Sequence, residues 1–305
     1  MPVAIDINHL MHQKDSEGKF FRHIAEQGHY AGRTRPTPTR QGLYIAGVDG
    51  KLIDSFNSTR VETVLKLIDR GIAKWQKKSS VGKRMFDSNS PDTRHAFTFP
   101  EGGMILRETM RDLPKRSDPK RDLERHNFDH VWLTADQKKS FIPPVNEVGH
   151  SWSIPESLMK NLAAHHMIDQ VHGEASPFAF EHVKKAEMSA TVAAVKNGKI
   201  TVQLSGEVSN LKPATRAFNP YNKRTVNKDI ACNLKLAGWL VYDTSKKELE
   251  SFKLLAAGQR SGADVYNFRW SDIGPSPIGF SFEMIEDIPS NRIRPKYVNR
   301  YAYPK

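Results

Sequence analysis

The chain has 305 residues, of which 38% are apolar, and a formal net charge of +12. This length favours two domains, and no apolar run approaches the roughly 20 residues of a membrane-spanning helix, so we expect no integral membrane association. The single cysteine, Cys232, excludes an intrachain disulfide framework and a cysteine-based zinc cluster. Because it lies in the alternating segment IACNLKL, Cys232 is predicted to be a small buried side chain rather than a reactive thiol.

The N-terminal segment and the positive charge leave location and partners open. The segment MPVAIDINHLMHQKD lacks the basic start and apolar stretch of an export signal. We therefore expect a cytoplasmic protein if the chain is complete, and an extracytoplasmic one if a signal has been removed. Basic residues are often interleaved with acids, as in RETMRDLPKRSDPKRDLERH, which is typical of solvated segments. A protein or an anionic small molecule is therefore a more favoured partner than nucleic acid, and oligomeric state has no signature.

The first part of the chain predicts a helix, a proline-containing loop, a hairpin and a second helix, in that order. Residues 17–28 place three apolar side chains on one helix face. In GLYIAGVDGKLIDSFN, two apolar segments flank Asp49-Gly50, which is a strong hairpin signal. Ser58 or Thr59 is predicted to cap the second helix. Its apolar residues recur at spacings of three and four, namely Val61, Val64, Leu65, Ile68, Ile72 and Trp75.

That order, over roughly residues 15–78, resembles the last half of the thioredoxin fold. There a threonine–proline pair precedes a hairpin, and a final helix packs on the sheet; Pro38, beside Thr37 and Thr39, would hold the place of the family's cis-proline. The chain has no Cys-x-x-Cys motif, and too few residues precede position 17 for a first strand and active-site helix. Dithiol exchange is excluded because it needs a thiolate and a resolving partner. The resemblance implies a redox-inactive docking scaffold.

The domain boundaries follow from changes in composition. Residues 1–78 form the degenerate thioredoxin-like module, and 79–127 are predicted to be a polar, proline-broken connecting region. Within that region, HAFTFPEGGMILRETM could contribute a strand. Residues 128–290 are predicted to form an antiparallel α+β domain, and 291–305 a basic, tyrosine-rich tail. Such a tail could bind phosphates or contribute to an interface. In the favoured alternative, it lies over the protein as an ordered extension or stays disordered.

Alternating apolar and polar residues from Glu187 onward predict an antiparallel sheet. Asn197-Gly198 predicts a hairpin between MSATVAAV and KITVQLSGEV, and a second turn over 244–247 joins IACNLKLAGWLVYD to ELESFKLLAAG. SPIGFSFEMIEDI supplies a further strand. A helix near 155–168, capped by Ser153, is expected to pack on this sheet. The predicted fold class is thus α+β.

Histidines are the candidate metal ligands. His126 and His130, four residues apart, would share one face of a helix, but the adjacent VWL favours a strand and breaks that geometry. A looser group surrounds the predicted helix and its exit, namely His165, His166, His172 and His182. The two adjacent histidines point to different faces, so at most one could join a common site. We therefore favour surface or structural histidines and predict no bound metal and no cofactor.

Two long connections carry arginine beside aromatic residues, a combination that binds anions, planar groups or protein partners. Long loops in compact domains are often functional. The predicted ligand- or partner-binding residues are Arg216, Tyr221, Arg224, Arg260, Tyr266, Arg269 and Trp270. In the alternative interpretation, the aromatic rings only pin these loops to the sheet.

The sequence lacks G-x-S-x-G, a phosphate-binding G-x-x-x-x-G-K-[ST] loop and a G-x-G-x-x-G after a strand, so an enzyme is not favoured. The leading hypothesis is a non-catalytic binding or protein-interaction protein with a redox-inactive thioredoxin-like scaffold. The alternatives are a metal-dependent hydrolase using His126 and His130, and a polyanion- or nucleic-acid-binding protein.

Overall fold

A computed structural model of the chain describes residue 10 and residues 16–29, 40–58, 60–77, 99–118, 123–213, 217–218, 225–226, 228–264 and 266–297. Backbone contacts divide the chain into two compact units, Met1–Ala96 and Phe97–Lys305. Within the parts described, no helix has both the length and the apolar character to cross a membrane.

Among the described residues of the first unit, two strands form a sheet and two helices flank it in sequence. The elements are α1 (Ser16–Gln27), β1 (Leu43–Ala46), β2 (Leu52–Phe56) and α2 (Val61–Gln76). Strands β1 and β2 pair antiparallel around a turn in which Gly50 has a φ of +72°, a value that glycine adopts without strain. The predicted order of helix, hairpin and helix is therefore confirmed. The thioredoxin-like assignment stays a prediction, and Thr37, Pro38 and Thr39 lie outside the described residues.

The start of helix α2 differs from its predicted cap. Arg60 is the N-cap residue, and its side chain forms no capping hydrogen bond. The Ser58 hydroxyl accepts a hydrogen bond from the backbone N–H of Arg60, at 3.1 Å, so this serine forms a local turn before the helix rather than its cap. Thr59 lies outside the described residues.

Helix α2 has a wider apolar surface than the hairpin covers. Leu67 and Gly71 are buried, and a Cβ on Gly71 would lie 2.3 Å from Ile45 Cδ1, so the helix approaches β1 closely there. Leu65 and Ile72, on the adjacent flank of the helix, are exposed. Two strands present too narrow a sheet for the whole apolar arc, which is why the amphipathic pattern overstated the burial of this helix.

The second unit is built on an eight-stranded antiparallel sheet with the strand order β4-β3-β12-β11-β10-β7-β6-β5. Its strands are β3 (Met104–Asp112), β4 (His126–Leu133), β5 (Ser151–Ser153), β6 (Val183–Lys196), β7 (Lys199–Lys212), β10 (Ile230–Asp243), β11 (Glu248–Ser261) and β12 (Ser276–Ile285). A separate short pair consists of β8 (Ala217–Phe218) and β9 (Thr225–Val226). The predicted α+β class with a large antiparallel sheet is confirmed.

The long hairpins form where turn residues predicted them. Asn197 and Gly198, at φ values of +51° and +72°, join β6 to β7, and such a pair of positive φ values matches the twist of the flanking strands. The turn over 244–247 joins β10 to β11. Helix α3 (Ala135–Lys139) begins with a capping box between Thr134 and Gln137.

Helix α4 (Glu156–His165) has Pro155, not Ser153, as its N-cap. Ser153 lies instead in the edge strand β5, so the expected serine cap is wrong. The chain leaves the sheet and reaches the helix within two residues, and proline readily occupies such a position because its N–H is not needed.

The connecting region predicted over 79–127 contains part of the sheet. Met104–Asp112 pairs with β12 on one side and with β4 on the other, so it is an interior strand. Every second side chain from Met104 to Asp112 is buried, and this buried face includes the two acids Glu108 and Asp112. The division of the chain into compact units accordingly falls at residue 96 rather than at residue 128.

One face of the sheet holds the core of the second unit. Helix α4 packs there against β6 and β7, and the segment that follows it, residues 166–178, continues across the same face. Cys232 is buried in this core as predicted, and burial raises the pKa of its thiol. On the opposite face Trp239 and Leu255 are exposed. The buried carboxylates of strand β3, Glu108 and Asp112, lie on the covered face.

Candidate functional site

Strand β3 carries carboxylates on its buried face. Met104, Leu106 and Met110 point into the core, and alternation along the strand places Glu108 and Asp112 on the same side. Glu108 is 0% exposed and Asp112 1%. Buried carboxylates require hydrogen bonds or counter-charges, so each of these residues forms the centre of a polar cluster.

The first cluster, called the carboxylate–histidine cluster, consists of Glu108, Asp129 and His166. Glu108 and Asp129 are direct partners across β3 and β4, and His166 ends helix α4. The His166 ring Nδ1 lies 3.0 Å from Glu108 Oε2. One side-chain ligand atom from each of the three residues lies within 4.8 Å of the others.

Burial dominates the electrostatics of this cluster. Removal from water raises the pKa of Glu108 well above its usual value, and the neighbouring carboxylate of Asp129 adds to the effect. Burial also raises the pKa of Asp129. It lowers the pKa of His166 to about 4. Titratable groups this strongly perturbed mark candidate functional sites.

Asp129 connects the carboxylate–histidine cluster to a pocket of about 230 Å³. The pocket is lined by Met110, Asn127, Phe128, Asp129, Gln170, Arg294 and Lys296. Asp129 accepts backbone hydrogen bonds from His130, at 2.7 Å, and from Lys296, at 3.2 Å. These bonds hold the carboxylate at the pocket wall.

The C-terminal segment supplies the basic side of the pocket. Lys296 Nζ donates a hydrogen bond to Gln170 Oε1 and lies 3.8 Å from Glu174 Oε1, and burial lowers the pKa of its ammonium group. The following residue, Tyr297, is buried and donates its hydroxyl hydrogen to the carbonyl of Ala175. Part of the tail, up to residue 297, is therefore fixed against the sheet unit.

The second cluster, called the arginine–aspartate cluster, consists of Asp112, Asp169, Arg260, Arg269 and Asp272. Arg269 donates two hydrogen bonds to each of Asp112 and Asp169, at 2.7–2.8 Å. Burial opposes the charge of Arg269, but these bonds raise its pKa overall. Arg260 pairs with Asp272 and lies 3.4 Å from Asp169. With three acids beside two arginines and Lys115, which lies 3.4 Å from Asp272, the cluster is compensated internally.

The structure places Arg260 and Arg269, which were predicted to bind a ligand, inside the fold, and their ligand role stays a prediction. Both are almost fully buried, at 1% and 2%, and their guanidinium groups are already paired, which favours a role in stabilising the fold. Arg260 also lies in strand β11 rather than in a loop. Tyr266 is 64% exposed, whereas Trp270 is half-buried.

The remaining three predicted binding residues, Arg216, Tyr221 and Arg224, lie outside the described residues. Of the four that are described, Arg260 and Arg269 come together, but around buried aspartates. The pattern of arginine beside aromatic residues cannot distinguish an arginine in a buried ion pair from an arginine in a ligand site, because the same side chains serve in both.

His126 and His130 both lie in β4, so the expectation of a strand holds and the helical pairing does not form. His126 is exposed and its Nδ1 lies 2.9 Å from the carbonyl of Glu124, whereas His130 is buried, which lowers its pKa. Of the adjacent pair at the end of helix α4, His165 and His166, only His166 joins the carboxylate–histidine cluster. The Nδ1 of His165 lies 2.6 Å from Asn161 Oδ1.

Sequence reasoning missed Glu108, Asp129 and Asp112 as site residues. A signal was present, because Glu108 and Asp112 occupy the same alternating positions as Met104, Leu106 and Met110. An acid on the apolar face of a strand indicates a buried polar site. Its partners come from residues 129 and 166, and no spacing rule joins those positions to residue 108.

No protein-family model, curated protein or solved structure matches the chain.

Proposed function

We propose that the sheet unit binds a small anionic molecule, a carboxylate or a phosphate, in the pocket beside Asp129. The observation that carries this proposal is the position of Lys296, whose partly buried ammonium group lines the pocket with Arg294. A cavity of about 230 Å³ is smaller than the roughly 300–1,000 Å³ that holds drug-sized ligands, so it suits a small molecule or a single charged group.

The polarity of the pocket wall favours an anion. Two basic side chains line the pocket with one carboxylate, that of Asp129, and the backbone N–H groups of His130 and Lys296 donate hydrogen bonds that partly offset its negative charge. A guanidinium group offers planar, two-point recognition of carboxylate or phosphate oxygens, and an ammonium group adds a point charge. Partial burial lowers the local dielectric constant and strengthens both interactions.

This proposal is a form of the non-catalytic binding protein predicted from the sequence, with a different set of residues. Arg294 and Lys296 belong to the basic segment whose tyrosines and arginines suggested a grip on phosphates. The use of the first unit as a thioredoxin-like docking module remains a proposal beside it.

The test compares Lys296→Met with a control, Lys253→Met. Lys253 is an exposed lysine on β11. Inorganic phosphate, citrate and acetate are titrated into each protein by calorimetry, with thermal unfolding as a second readout. We expect at least one anion to bind wild type and the control, and Lys296→Met to lose about tenfold or more in affinity, the effect of about 1.4 kcal/mol. Equal affinities in the three proteins, or no binding to wild type, would overturn the proposal.

A further inference from the structure

One oxygen of the carboxylate–histidine cluster has no hydrogen-bond partner. Glu108 is 0% exposed, its Oε2 lies beside His166 Nδ1, and its Oε1 contacts no donor in the part of the chain that the structure describes. A buried polar atom left without a partner costs about 1–3 kcal/mol, and more when the group is charged. An unsatisfied atom of this kind therefore calls for a missing partner.

The three side chains lie close to the spacing that one metal ion requires. Ligand atoms about 2.0–2.2 Å from one ion lie at most about 4.4 Å apart. One atom of each residue lies within 4.8 Å of the others, so an inward shift of at most a few tenths of an ångström allows all three to reach one ion. Each ligand is also held by a rigid element. Glu108 and Asp129 are paired in neighbouring strands, and His166 caps the end of helix α4.

The charge around the cluster also favours a cation. Considering the residues that the structure describes, neither Glu108 nor Asp129 forms an ion pair within 4 Å with a lysine or arginine side chain. The ammonium group of Lys296 is near enough to affect both carboxylates, but it donates its hydrogen bond to Gln170. This contrasts with the arginine–aspartate cluster, where arginines bind every carboxylate directly.

We propose that Glu108, Asp129 and His166 bind one divalent transition-metal ion. Two carboxylates and one imidazole suit Mn²⁺, Fe²⁺ or Zn²⁺, which accept mixed oxygen and nitrogen ligands. Asp129 lines the pocket, so that side of the ion faces the space in which water or an anion would complete the coordination. This metal site is a separate proposal from anion binding, since the affinity for the metal can be measured in the absence of any anionic ligand.

The test uses the full chain stripped of metal with a chelator and then titrated with Mn²⁺, the free ion being followed by electron paramagnetic resonance. Zn²⁺ is measured in parallel by elemental analysis after buffer exchange. The variants are Glu108→Gln and His166→Gln, and the matched control is His126→Gln, which changes an exposed histidine in the same sheet. Circular dichroism establishes that each variant is folded, and Asp129→Asn replaces any that is not.

We expect wild type and His126→Gln to bind about one ion per chain, and the cluster variants to lose at least about tenfold in affinity, since even outer partners of metal ligands contribute that much. Absence of binding to wild type, or unchanged affinity in folded Glu108→Gln, would overturn the metal site. A loss in His126→Gln alone would transfer the site to His126 and would also overturn it. Lys296→Met should retain the metal, so failure of anion binding and failure of metal binding are distinguishable.

Discussion

Replacing Arg269 by methionine is expected to destabilise the sheet unit. Its guanidinium group donates to Asp112 and Asp169 through bonds of 2.7–2.8 Å, and all of these groups are buried. Methionine fills part of the volume but leaves two carboxylates facing each other without their main counter-charge. Removing one partner of a buried ion pair typically costs about 3–5 kcal/mol.

The surrounding groups set the expected value within that range. Arg260 remains 3.4 Å from Asp169, and His172 remains 2.9 Å from Asp112, so each carboxylate keeps one weaker partner. We therefore expect a loss near the lower limit, about 3 kcal/mol. Since domains are stable by about 5–15 kcal/mol, this change is large enough to measure easily. The exposed pair of Lys199 and Glu250 provides a control, because Lys199→Met should cost less than about 1 kcal/mol.

The assay is urea-induced unfolding followed by tryptophan fluorescence. Four of the five tryptophans lie in the sheet unit, at positions 132, 152, 239 and 270, so the signal reports mainly on that unit. A change below about 1 kcal/mol in Arg269→Met would refute the structural role assigned to this arginine. Unchanged stability together with lost binding of an anion would restore the ligand role predicted from the sequence.

Two further predictions concern stability at acidic pH and the packing of helix α2 in the first unit. Burial lowers the pKa of His165 to about 4, so its imidazole stays neutral in the folded state, whereas in the unfolded chain it takes up a proton below about pH 6.5. The free energy of unfolding is therefore at its full value above about pH 6.5 and falls by at most about 3 kcal/mol as the pH drops to about 4. The dependence of the urea midpoint on pH should be shallower in His165→Gln, and equal slopes would contradict this. In helix α2, Leu67→Ala should cost about 2–5 kcal/mol because Leu67 is 2% exposed, whereas Leu65→Ala should have little effect because Leu65 is 55% exposed. Hydrogen exchange over residues 61–76 measures both, and equal protection in the two variants would show that the helix packs differently.

Local signals were sufficient for much of the fold. Asp49-Gly50 and Asn197-Gly198 placed two hairpins because few residue pairs adopt the positive φ values of their turns. Alternating side chains placed the long strands β6, β7, β10 and β11. The domain boundary was less accurate, since β3 is separated from its partner β12 by more than 160 residues and its short alternating run is interrupted by two acids. Helix caps were also mispredicted, because several nearby serines offered the same local chemistry.

The candidate site is formed by contacts between residues that are far apart in the sequence, and local sequence patterns do not predict such contacts. The single cysteine predicts that the chain does not perform dithiol exchange, and the alternating segment around Cys232 was enough to predict that its side chain is buried. Whether an arginine faces solvent or a buried aspartate is decided by distant parts of the chain, as Arg269 with Asp112 shows. The same holds for Glu108, whose partners Asp129 and His166 reach it only when β4 pairs with β3 and helix α4 covers the sheet. Periodicity determines which face of an element a residue occupies, but only tertiary packing determines which charges meet there and how far their pKa values move.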